Sequence, residues 1–190
     1  MITILENEII RVEISAQGAE LKSIFNKKFQ LEYLWQGNAS VWPRKAPVLF
    51  PIVGKLKDNT YTFNAKEYSL PQHGFARDQV FSLISSTKSL VVYRLHHNDE
   101  SLNNFPFEFE LDIIYSIEDS TLKVEYNIKN PSAKSDLYYS IGAHPGFNCP
   151  LVHGEIFEDY YLEFEKPEKL NRILLDKGLR GDEREDGDCK

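Results

Sequence analysis

Cysteine is scarce in this sequence: Cys149 and Cys189 are the only two among 190 residues, and no CxxC pair occurs. Disulfide scaffolds and structural zinc sites need more, so neither class fits. Metal chemistry needs several convergent ligands, and no spacing of His, Cys, Asp or Glu announces such a set. The GxGxxG and P-loop fingerprints are missing, as is the GxSxG nucleophile elbow, which argues against nucleotide cofactors and a serine nucleophile. Cys149, beside Pro150, has no evident helix N-terminus or cation to activate its thiol. No metal and no cofactor is therefore expected.

Long apolar runs are also lacking, since nothing approaches the roughly 18 residues of a membrane span. The opening stretch MITILENEIIRVEIS carries acids and no basic region, unlike a secretory signal, and a cytoplasmic location is expected. Positive charge is in deficit. Lys and Arg number 22 against 29 Asp and Glu, giving a net charge of −7. A nucleic-acid partner demands a basic face, so none is expected, and a membrane partner is not expected either. A small-molecule ligand is the class left standing.

Long helical periodicity is missing as well, and the period that is present is two. In EFELDIIYSI, Phe109, Leu111, Ile113, Tyr115 and Ile117 alternate with Glu110, Asp112, Ile114 and Ser116, the pattern of a strand with one face on a core. TLKVEYNIK places Leu122, Val124, Tyr126 and Ile128 on one face, and IIRVEI and LVVYRL add further strands. YTFNAKEYSL reads as a hairpin turning at Asn64, Ala65 and Lys66. These features predict an all-β fold, an antiparallel β-sandwich over residues 1–181, followed by a charged tail at 182–190. The tail, within DKGLRGDEREDGDCK, reads as a loop or frayed end. Pro43, Pro47 and Pro51 in VWPRKAPVLFPIVGKLKDN predict an irregular path over a sheet edge or mouth. GEIFEDYYLEFE alternates as an ordinary strand would.

Two loops rich in small and turn-forming residues each hold a histidine: His73 in LPQHGFARD and His144 in SIGAHPGFN. Opening a sugar hemiacetal requires a base at the anomeric hydroxyl and an acid at the ring oxygen, and histidine is the side chain whose ordinary pKa suits both near neutrality. A single histidine in a turn more commonly just bonds a backbone carbonyl; two in similar loops favour a shared site. Arg77 could fix a hydroxyl or a phosphate through its planar fork, or pair with Asp78. Lys55 follows Gly54 and could reach a ligand, whereas Lys57 reads as solvated. Trp35 and Trp42 fit sugar stacking or core packing equally. His96 and His97, adjacent on a strand, point to opposite faces and read as surface.

The segments GAELKSI from Gly18, WPRKAPVLFPIVGKL from Trp42, LPQHGFARD from Leu70, FPFEFEL from Phe105 and GAHPGFN from Gly142 resemble the aldose 1-epimerase (galactose mutarotase) superfamily, in its galactose mutarotase-related bacterial branch. The resemblance implies a β-supersandwich and cofactor-free interconversion of the α and β anomers of an aldose. It implies that His144 is the general acid, that His73 is its companion on the same region of the sugar, and that Arg77 binds substrate. Lys55 stands where many relatives have arginine, keeping the charge but not the fork, and the resemblance further implies that Arg44 lines the pocket. The family's basic glutamate is not found by motif, and such chains continue beyond where this one stops. Glu155, Glu158, Glu163 and Glu165 read as strand residues, and Glu183 and Glu185 belong to the tail. The chain as given is thus expected to lack the family's C-terminal part and to be a poor mutarotase with open sheet edges. Two further readings are a non-catalytic sugar-binding protein and a hexose-6-phosphate 1-epimerase with Arg44, Lys55 and Arg77 as a phosphate clamp.

Overall fold

The computed structural model describes residues 1–166 and, beyond them, two strands at Lys169–Asp176 and Leu179–Asp188. Strands β1 (Ile2–Glu6), β2 (Ile10–Ser15), β3 (Leu21–Asn26) and β4 (Leu31–Glu32) form one antiparallel sheet in chain order. Next come β5 (Val48–Leu49) and the hairpin β6 (Thr60–Phe63) and β7 (Lys66–Ser69). Its turn is the pair Asn64 and Ala65, both at positive φ as a two-residue hairpin turn requires, so Lys66 already faces Phe63 in the ladder. The second large sheet contains β8 (Ser82–Ser86), β9 (Leu90–His96), β10 (Glu110–Glu118) and β11 (Thr121–Lys129), again antiparallel throughout. A short helix, α1 (Asp99–Asn104), joins β9 to β10, and β12 (Gly142–Ala143) pairs with β5. The last pair, β13 (Lys169–Asp176) and β14 (Leu179–Asp188), is a further hairpin.

Alternation places the core where the sequence put it. Phe109, Leu111, Ile113, Tyr115 and Ile117 are buried, as are Ile10, Val12 and Ile14 of β2 and Val91, Tyr93 and Leu95 of β9. Two phenols tie this sheet to the first: Tyr93 shares a hydrogen bond of 2.6 Å with Thr3, and Tyr115 donates to the Ala19 carbonyl at 2.7 Å. Asp112 departs from the pattern, being buried although it lies on the other face of β10. Arg94, directly opposite in register, covers it with a two-pronged ion pair.

Four stretches differ from the sequence reading. Residues 46–51 of the proline-rich segment are buried rather than draped over an edge. GEIFEDYYLEFE is no strand: Phe157–Asp159 form a 3₁₀ turn, the Asp159 carboxylate accepts the Ile156 N–H, and Phe157, Tyr161 and Leu162 are exposed. Alternation needs a neighbouring strand to become a ladder, and none of the described residues supplies one there. The expected tail is strand as far as Asp188, continuous with the segment before residue 182. The Glu183 and Glu185 side chains and Cys189 lie outside the described residues. Finally, His96 is exposed but His97 is half-buried, its ring bonding the backbone of Phe109.

Glu20 fixes the buried segment from the other side. Its carboxylate is buried, accepts the N–H groups of Lys45 (2.9 Å) and Ala46 (3.0 Å), and meets the Lys22 ammonium. Burial pushes its pKa up, but these donors outweigh that and hold it below the ordinary glutamate range. Its stabilising contribution is therefore present above the unfolded value near pH 4.3 and fades as pH falls through the depressed folded value. Glu20→Gln should cost about 1–3 kcal/mol at pH 7, with a smaller difference from the wild type near pH 3, read by denaturant unfolding at both pH values.

Candidate functional site

Three consecutive residues join the two histidine loops. Val48 and Leu49 pair with Ala143 and Gly142, and Phe50 bridges in parallel to Gly74. The Phe50 carbonyl accepts the N–H groups of both Phe75 (3.0 Å) and Ala76 (3.1 Å). One side of this segment thus carries the strand leading into His144, and the other carries the turn that holds His73. The two rings end 6.3 Å apart, centroid to centroid. That is too far for a direct bond and close enough for both to touch one small molecule. Gly74 makes the approach possible, because its φ is +69° and a Cβ there would sit 2.3 Å from the Phe50 oxygen.

His73 itself has a φ of +68°, a conformation that costs a non-glycine residue about 1–2 kcal/mol and persists only where the surroundings enforce it. Gly54 enforces it twice. The His73 N–H donates to the Gly54 carbonyl at 2.7 Å, and the Gly54 N–H donates back to His73 Nδ1 at 3.0 Å. A neutral imidazole has one acceptor nitrogen, so with Nδ1 accepting, Nε2 carries the proton. The Gln72 side-chain nitrogen lies 3.3 Å from Nε2; being a donor it does not accept that proton, which is left for a ligand. Burial first, then the nearby charges of Arg77 and His144, lower the His73 pKa from its usual value. The fold therefore favours neutral His73: this contribution to stability is complete above the unfolded pKa near 6.5 and diminishes as pH falls through the lower folded value. Nitrogen NMR should show the Nε2–H tautomer at pH 7 and a titration midpoint below 6.5. A midpoint above it would contradict the Gly54 lock.

His144 is exposed, its N–H donating to the Pro47 carbonyl at 3.1 Å. Its ring packs against Trp42 at 5.0 Å between centroids. Trp35 supports that wall, donating through its indole N–H to the Trp42 carbonyl at 2.8 Å and through its backbone to Gly146. A Cβ at Gly146 would come within 2.9 Å of the Trp42 ring. Trp42 is thus a neighbour of the histidine pair, which neither VWP nor its spacing disclosed.

Arg77 donates through Nη2 to the Gln72 carbonyl at 2.7 Å. Its buried Nε lies 3.6 Å from an Asp78 carboxylate oxygen without a hydrogen bond. The other Asp78 oxygen accepts from Arg44 at 2.8 Å. Lys55 is exposed beside Gly54. Of the candidate acids, Glu155 accepts from the Tyr160 hydroxyl and thereby raises the phenol's pKa, while Glu158, Glu163 and Glu165 are exposed. No hydrogen bond or ion pair among the described residues joins any of the four to His73 or His144. Two apolar depressions lie elsewhere, one of about 640 Å³ beside Phe147, Phe157 and Phe164 and one of about 450 Å³ beside Phe63, Phe107 and Tyr138. Neither is lined by a histidine, a carboxylate or a basic side chain.

The antiparallel β-sandwich thus brings two loop histidines together on a rigid sheet scaffold, their ring planes tilted by 45°. The sequence profile described as Aldose 1-epimerase matches residues 1–173, and the chain belongs to that family. It is 37% identical over 172 residues to the plasmid-encoded protein LacX of Lactococcus lactis subsp. lactis, covering 88% of this chain and 57% of that protein. The crystal structure of a galactose mutarotase related enzyme from Lactobacillus acidophilus superposes with a TM-score of 0.94 at 37% identity, over all of this chain and 63% of that one. A galactose mutarotase-like protein from Lactobacillus casei gives 0.90 at 37% identity, over 98% and 64%. This chain thus spans about three fifths of the length of these relatives.

Proposed function

We propose that the His73 and His144 loops form an aldose site and that its chemistry is acid-assisted opening and closing of the sugar ring. The single observation behind this reading is the 6.3 Å approach of two rings delivered by separate loops onto one buried segment. Protonated His144 gives its proton to the ring oxygen as the bond from that oxygen to the anomeric carbon breaks. A base removes the anomeric hydroxyl proton, leaving an open-chain aldehyde. Rotation about the neighbouring bond and the reverse proton transfers close the other anomer, restoring both groups. His73, neutral with Nε2–H facing outward from its Gly54 lock, donates a hydrogen bond to the same region of the sugar and does not ionise. Lys55 and Arg44 contribute hydroxyl contacts at the rim, and Arg77 acts chiefly by holding the Gln72 carbonyl. The names of the relatives from both Lactobacillus species agree with a hexose such as galactose.

A second reading, a sugar-binding protein without turnover, is favoured by one observation: among the described residues no hydrogen bond or ion pair joins any of the acids from Glu155 to Glu165 to the pair. Polarimetry on freshly dissolved α-galactose and α-glucose separates the two. Acceleration over the solvent rate supports an epimerase. Binding of galactose without acceleration supports the binder, and no binding of either sugar rejects both.

A further inference from the structure

The two histidines are held by different means. The His73 ring is tied to Gly54 through Nδ1, whereas no hydrogen bond to either ring nitrogen of His144 is found among the described residues. His144 is exposed, and what anchors it is its backbone N–H on the Pro47 carbonyl. An exposed imidazole with no bonded nitrogen turns among its rotamers unless a neighbour fills the space it would turn into. The indole of Trp42, 5.0 Å away between centroids, is that neighbour.

Trp42 is itself fixed from three directions. Its N–H donates to the Asn38 carbonyl at 2.8 Å, its carbonyl accepts the Trp35 indole N–H at 2.8 Å, and its ring lies against Gly146, where a Cβ would come within 2.9 Å. Gly146 is tied in turn, its N–H to the Lys45 carbonyl at 2.8 Å and its carbonyl to the Trp35 N–H at 2.9 Å. His144 and Gly146 therefore pack on one seated indole, with Pro145 between them. A wide aromatic surface with two torsions suits this task, and tilted aromatic pairs attract; these two rings are inclined by 53°. We propose that Trp42 is a positioning residue for His144, holding its ring 6.3 Å from that of His73 so that both meet one substrate. The inference rests on the sugar reading above and concerns how its acid is aimed.

The test compares the wild type with Trp42→Leu, Trp42→Phe, His144→Asn and the double variant of Trp42→Leu with His144→Asn, by NMR of the ring signals and by polarimetry on freshly dissolved α-galactose. In the wild type, nuclear Overhauser contacts should join the Trp42 indole to the His144 ring protons; their absence overturns the inference whatever the variants do. The indole ring current displaces the His144 signals, so Trp42→Leu should return them toward those of free histidine while His73 keeps its tautomer, a sign that the fold survives. Trp42→Leu should also slow interconversion about tenfold or more with KM changed far less, since a misaimed acid costs rate, and should slow His144→Asn no further. Trp42→Phe, which keeps a ring in the seat, should restore most of the rate and a displaced His144 signal. Wild-type His144 signals in Trp42→Leu, or an equal slowing by Trp42→Leu with and without His144, would overturn the inference. If no form accelerates interconversion over the solvent rate, the epimerase reading falls alone, and the NMR contacts and shifts still decide the role of Trp42.

Discussion

On the proposed epimerase reading, His144→Asn is expected to interconvert the anomers of galactose about a hundredfold or more slowly than the wild type under identical conditions. Asparagine is close to histidine in size and can still donate a hydrogen bond from the same place beside Trp42. It cannot give up a proton, and general acid catalysis by a positioned side chain is worth about 10² to 10⁴ in rate. Galactose affinity should fall far less than rate, because His73 and the rim residues still meet the sugar. Polarimetry and calorimetry on the same preparations make the comparison. Equal loss in both would assign His144 to binding alone, and an unchanged rate would remove it from the chemistry.

Gly74→Ala is expected to cost about 3 kcal/mol or more in stability, read by denaturant unfolding. Two effects add at this position. The φ of +69° disfavours any side chain by about 1–2 kcal/mol. The new methyl group would also lie 2.3 Å from the Phe50 oxygen and 2.5 Å from its carbon, so backbone rather than a flexible side chain must move. Phe50 receives the N–H groups of Phe75 and Ala76 and stands beside the residues that hold the His144 strand. Its displacement should therefore separate the two rings as well, and sugar binding should fall together with stability. Stability equal to the wild type would show that the turn tolerates a quite different path.

The strands were legible because one-sided burial leaves a period-two mark, and Phe109 to Ile117 and Ile10 to Ile14 bear it plainly. The histidine loops were legible for another reason: small and turn-forming residues around an ionisable ring are uncommon in a packed strand. Their meeting through Val48, Leu49 and Phe50 was not legible. Prolines at 43, 47 and 51 suggest an edge, and only Glu20, distant in sequence, reveals that the backbone donors of Lys45 and Ala46 are satisfied inside. Nor does sequence state a backbone angle, so the left-handed His73 and the tautomer it imposes were invisible. The aromatic stretch 156–164 misled in the opposite direction, because alternation records what a strand would bury and not whether a partner strand lies beside it. Arg77 showed its two options in the dipeptide Arg77-Asp78, but the commitment of its Nη2 to Gln72 is a tertiary fact.

The most direct measurement is a titration of the chain with galactose, followed by NMR of the histidine ring signals, with all five histidines observed at once. The account predicts that the rings of His73 and His144 shift together along one binding curve while His96, His97 and His153 stay still. Movement of only one of the pair, or no movement of either while galactose binds, would contradict a shared sugar site.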